Sequence, residues 1–219
     1  MTLSIAQNIA GAIDDAGRGN FELGFRDLCT AIDQSAKKHL GKEFGEGNAY
    51  KQFLDEHIWI VELMAFPGWD LLESKFGNYP INGKHKTYHT PSFSEIIYHA
   101  IRCELSHGDG IATNIKWVES VHVKNVGREY LELPFQVFWG LVAIAVFAKC
   151  NSDERIHKSY WLDIAGNKLQ IDDFFGQLDT MKRIYERRIL RGADGLPLKI
   201  VMILSQGHDY PITIEVAEH

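Results

Sequence analysis

From Val137 to Ala148 the chain runs 12 residues without one charged side chain. The indole nitrogen of Trp139 is the only polar side-chain atom in that run. Such a run has two physical solutions, a membrane span or a helix wrapped by other elements on every side. A helix crossing a bilayer needs about 20 apolar residues, so this one is too short to span. The run predicts a buried central helix over 134–149, the most apolar of the chain, with Pro134 in its first turn, where a missing N–H is tolerated. A helix that is apolar all round needs companions, and the rest of the sequence must supply them.

The companions can be read in order. Residues 4–16 form a short amphipathic helix ending in Asp14-Asp15-Ala16-Gly17-Arg18-Gly19. Asn20 is placed to cap the next helix, whose apolar positions Phe21, Phe25, Leu28, Cys29, Ile32, Ala36 and Leu40 hold helical spacing until Gly41. After a loop over 41–47, residues 48–65 resume a helix that Phe66-Pro67-Gly68 breaks. Turn residues across 77–91 predict a loop. Ser92 and Glu95 then make a capping box for a helix running to Gly108 and Gly110. Its core stripe is Phe93, Ile96, Ile97, Ala100, Ile101 and Leu105.

Short strands are expected at 115–118 and 121–123. The last third changes character. Residues 160–171 read as a β-hairpin around Ala165-Gly166-Asn167, followed by a helix at 178–191 and strands at 198–204 and 210–216. The expected fold is mainly α, with a helical bundle over 1–150 and a smaller α/β appendage over 151–219. That appendage either stands apart or packs onto the bundle as one domain.

Charge and cysteine content narrow the function. The net charge of −6 excludes a broad, non-specific nucleic-acid surface, so any nucleic-acid contact must be a local patch. Three cysteines, Cys29, Cys103 and Cys150, are odd in number and far apart, which predicts reduced thiols and a cytoplasmic setting. Met1-Thr2-Leu3 opens no basic stretch ahead of an apolar run, so no signal peptide and no membrane partner are expected.

The chemistry concentrates on the Ser92–Gly110 helix. Glu95, His99, Arg102 and Ser106 fall along one face, and His107 reaches the lip. Arginine offers a planar, always-charged fork for phosphate, and histidine exchanges protons near neutrality. Five residues along a regular helix turn through roughly 140°, so Arg102 and His107 can converge in two ways. The helix unwinds at Ser106-His107, or two chains each supply half the site. The structural alternative is an ion pair of Arg102 with Glu95 or another carboxylate, with His107 closing the helix end.

The Arg-x4-His spacing in Ile101-Arg102-Cys103-Glu104-Leu105-Ser106-His107, at a helix end within a helical bundle, resembles the HEPN superfamily. The resemblance covers roughly residues 20–150. It implies a homodimer and a metal-independent endoribonuclease of toxin or phage-defence type, with an antitoxin protein as a further partner. Arg102 would hold the phosphate while the RNA 2′-hydroxyl attacks it and His107 assists proton transfer. Several members are not catalytic, so the same resemblance allows an interaction or nucleotide-binding module with Arg102 as anion anchor.

Other residues are candidates around that pair. His99 and Ser106 are placed to contact substrate. Lys84 and Lys86, with His85, Tyr88 and His89, could wall an anionic ligand. His85 and His89 are four apart, but Pro80, Gly83 and Pro91 predict a loop and the lysines oppose a cation, so no metal and no cofactor are expected. Lys182, Arg183, Arg187, Arg188 and Arg191 form one basic cluster, which either grips RNA or is a solvated helix end.

Overall fold

The computed structural model describes residues 3–41, 43–77, 79–83, 87–107, 115–119, 126–127, 130–164, 167–188, 200–204 and 213–216. Helix α1 is Ile5–Gly17, opened by a reciprocal Ser4–Gln7 capping box. Helix α2 is Phe21–Leu40. Asn20 stands at its N-cap position but makes no side-chain capping bond there, unlike the expectation. Helix α3 is Glu46–Ala65. The three bury the stripes expected of them, including Ile9 and Ala12, Phe25, Leu28 and Ile32, and Phe53, Leu54 and Val61.

The 77–91 stretch is not all loop. Strand β1 (Lys75–Phe76) precedes it, and β2 (Ile81–Asn82) pairs antiparallel with β3 (Thr87–Tyr88) inside it. The Ser92 capping box forms as expected: the Glu95 N–H donates to Ser92 Oγ at 3.3 Å and the Ser92 N–H to Glu95 Oε2 at 2.9 Å. It opens α4 (Phe93–Ile96), which continues as a π-helix over Ile97–Cys103 and closes as α5 (Glu104–His107). Gly108 and Gly110 lie outside the described residues.

Strand β4 is Ile115–Val118, β5 is Val126–Gly127 and β6 is Tyr130–Pro134. They form one sheet in the order β4-β6-β5, with β6 parallel to β4 and antiparallel to β5. Pro134 therefore ends a strand instead of starting the helix. At that position Pro134 stands opposite Val118 of β4. The expected strand at 121–123 lies outside the described residues.

Helix α6 is Gln136–Phe147, the central helix. Every residue from Val137 to Phe147 is buried except Trp139. It packs on α3 so closely that a Cβ on Gly140 would stand 3.0 Å from the Val61 Cα. Trp117 of β4 stacks on Phe25 of α2, with ring centres 4.5 Å apart, and so seats the sheet on the bundle.

The chain after α6 is tied back by polar contacts. Asn151 donates from Nδ2 to Ser35 Oγ at 2.8 Å and to the Ala145 carbonyl at 2.7 Å. The β7 (Trp161–Ile164) and β8 (Asn167–Gln170) hairpin forms with Trp161 opposite Gln170. Helix α7 is Leu178–Arg188, and its Tyr185 ring meets Trp59 of α3 edge-on at 5.2 Å. Strand β9 (Ile200–Leu204) pairs parallel with β1 and antiparallel with β10 (Thr213–Val216). The molecule is mainly helical with small sheets. Among the described residues, no helix is long and apolar enough to cross a membrane.

Candidate functional site

The π-helix turns its apolar residues Ile97, Ala100 and Ile101 into the core and leaves Tyr98, His99, Arg102 and Cys103 half-buried on its other side. A π-helix is rare and widens the spiral to i→i+5 hydrogen bonding, frequently at functional sites. It re-aims the polar residues of this segment. The irregularity sits in the turn carrying Arg102, not at Ser106-His107, where the backbone is α-helical. Unwinding at Ser106-His107, one of the two routes to convergence, is not what the backbone does: the irregular turn lies upstream.

Arg102 reaches α2, not Glu95, whose carboxylate is taken by the capping box. Its Nε and Nη2 both donate to Asp33 Oδ2, at 3.1 and 2.6 Å. The side chains are 19% and 14% exposed, so the pair is screened only in part. Asp33 Oδ1 is buried without a hydrogen-bond partner among the described residues. Burial alone would lower the pKa of Arg102, but the hydrogen bonds and charge of Asp33 carry it above its ordinary value, so the guanidinium stays charged.

Rings and cations alternate around this pair. The Arg102 guanidinium lies 5.4 Å from the Tyr98 ring centre. Lys51 Nζ of α3 lies 5.8 Å from the centres of both Tyr88 and Tyr98. Tyr88 of β3 faces His99 at 4.7 Å, and Tyr50 of α3 faces Tyr98 at 5.4 Å. The first turn of α3 approaches so closely that a Cβ on Gly47 would stand 2.7 Å from the Tyr98 hydroxyl. Only glycine leaves Tyr98 in place there.

Burial raises the pKa of Tyr98, with the neighbouring Cys103 adding to it, and burial with Glu95 does the same for Tyr88. Both phenols therefore remain neutral hydrogen-bond donors near neutrality. Burial pushes Cys29 up to about 12 and Cys150 up to about 11, so neither thiol is a nucleophile at neutral pH.

Of the residues expected to carry function, Arg102 and His99 meet in this cluster. Ser106 is exposed, and its hydroxyl donates to the Arg102 carbonyl at 2.8 Å, a bond within the helix. The backbone of His107 closes α5, while its side chain lies outside what is described, as do Lys84, His85 and Lys86. Asp33, Lys51 and Tyr98 were missed. Tyr98 stands four residues before Arg102 and was the one local signal; the other two come from distant helices. Lys182, Arg183 and Arg187 are exposed on α7, with Met181 buried behind them. The side chain of Arg188 and all of Arg191 lie outside the described residues. Those residues contain no group of three or more metal-ligating side chains.

Residues 4–197 match the model of a protein family described as Rv1289. The chain is similar to the uncharacterised proteins Rv1289 of Mycobacterium tuberculosis and Mb1320 of Mycobacterium bovis. Each is 23% identical over 192 residues, which span 84% of this chain and 89% of the relative. No solved structure matches the chain.

Proposed function

We propose, from the premise that this chain belongs to the Rv1289 family, that it is a HEPN-like helical module whose π-helix face binds RNA or a nucleotide without cleaving it. The observation that supports this is the alternation of cations and aromatic rings: Lys51, Tyr88, Tyr98, His99 and Arg102 within one half-buried cluster. Ring faces stack bases with about 1–3 kcal/mol each and little sequence preference. Lys51, with Arg102 beside it, supplies positive charge to attract a phosphate backbone.

Asp33 holds the Nε and Nη2 of Arg102. Cleavage would ask that same fork to grip the scissile phosphate. Retention by stacking on the rings beside Lys51 makes no such demand. The homodimer, the protein partner of antitoxin kind and the cytoplasmic setting belong to the same reading.

A labelled single-stranded RNA oligonucleotide, incubated with the protein in a chelator, tests it. Fluorescence anisotropy is expected to show saturable binding with the RNA intact on a gel. Tyr98→Ala and Lys51→Ala should each weaken binding about tenfold. Absent binding, or variants that bind like wild type, would sink the reading. Cleavage that Arg102→Ala and His107→Ala both abolish would replace it with the ribonuclease.

A further inference from the structure

A second site lies on a different part of the molecule. A cavity of about 560 Å³ opens between α1, α6 and β7, lined by Ile13, Asp14, Trp139, Tyr160, Trp161 and Asp163 among others. That volume lies in the range of small-molecule sites. Trp139 is the one residue of the α6 run from Val137 to Phe147 that is not buried, and its ring forms part of the wall. The one polar side chain of that run is thus placed here.

The lining combines three aromatic rings with two carboxylates, and no lysine or arginine is among the lining residues. The carboxylates stand on separate elements, Asp14 on α1 and Asp163 on β7. The Tyr160 hydroxyl donates to Asp14 Oδ2 at 2.9 Å and fixes it against the aromatic wall. A neutral apolar occupant offers two carboxylates no opposite charge. A cation meets the carboxylates by charge and the ring faces by their negative quadrupole. The Trp161 ring already carries one cation: Lys168 Nζ of β8, opposite Asp163 in the hairpin and not itself lining the cavity, sits 4.3 Å from its centre.

We infer that this cavity binds a small organic ammonium ion, its charged head between the Trp139, Tyr160 and Trp161 rings and the Asp14 and Asp163 carboxylates. The site is separate from the π-helix cluster, so neither reading depends on the other.

Isothermal titration of the full chain with choline tests it, beside the neutral isostere in which carbon replaces the ammonium nitrogen (dimethylbutanol). Choline is expected to bind saturably, with the isostere about tenfold weaker or worse. Trp161 is exposed, so Trp161→Ala leaves the fold intact and should weaken choline about fivefold to tenfold. Asp14→Asn is expected to weaken choline while leaving the isostere unchanged. Equal binding of choline and isostere overturns the inference. So does the absence of saturation by about 10 mM choline, where affinity falls below about 3 kcal/mol. Wild-type affinity in both variants overturns it as well.

Discussion

Arg102 and Asp33 bind each other as neighbours in space that are 69 positions apart in the chain. Their worth lies in the cost of separating them. Removing the carboxylate leaves a charged guanidinium half-buried against Tyr98 with its strongest acceptor gone. Asp33→Ala is expected to cost about 2–3 kcal/mol in urea unfolding, the scale of a charged hydrogen bond lost from a partly buried site. Adding Arg102→Met should restore more than half of that loss, because the stranded charge disappears with it. A double variant no more stable than Asp33→Ala alone would mean that the cost comes from α2 itself. The distance along the chain also explains why the partner of Arg102 was not legible. A carboxylate partner was expected, and Glu95 was the near one. Local pattern ranks neighbours by sequence, whereas the capping box had already engaged Glu95.

At the scale of elements, periodicity and caps are local signals and they carried far. Helices α1 to α3, the central α6, the Ser92 cap and the β7–β8 hairpin all follow from spacing and turn residues. Strands of two residues, such as β2 and β3, have no period to read. β6 was hidden because its main pairing is a parallel one to β4, a relation made by the fold and not by adjacent residues. The π-helix was hidden because its apolar positions remain compatible with ordinary helical spacing. Close packing makes a sharper prediction. In an isolated helix Gly→Ala is favourable by about 1 kcal/mol. At Gly140 the added methyl would meet the Val61 backbone at 3.0 Å, and both helices are held by the core. Gly140→Ala is therefore expected to lower stability by about 1–2 kcal/mol, since overpacking outweighs propensity. A rise in melting temperature would show that α3 and α6 can slide apart.

For the whole molecule, pH acts through a histidine outside both sites. His57 of α3 is buried, its Nδ1 bonded to the Phe53 carbonyl at 2.9 Å, with His39, Glu56 and Lys182 as the charges facing it. Burial holds its pKa below the ordinary 6.5, with the Phe53 bond opposing in part. The unfolded chain then binds the proton more readily than the native one. Stability is whole above the ordinary imidazole value and falls as the pH drops below it. Thermal melts at about pH 7.5 and about pH 5.5 should show this loss, and His57→Phe should reduce it. An unchanged pH slope in that variant would assign the loss to other groups.

The pairing of β1 with β9 sets an order of events during synthesis. Lys75 and its partner Ile203 lie 128 residues apart, and a ribosome extends a chain at about 5–20 residues per second. The first strand therefore leaves the ribosome several seconds or more before its partner exists. α1 to α3 and α6 are complete within that interval and can close around the apolar run on their own. β1 is without this partner meanwhile, until Ile200–Leu204 emerges.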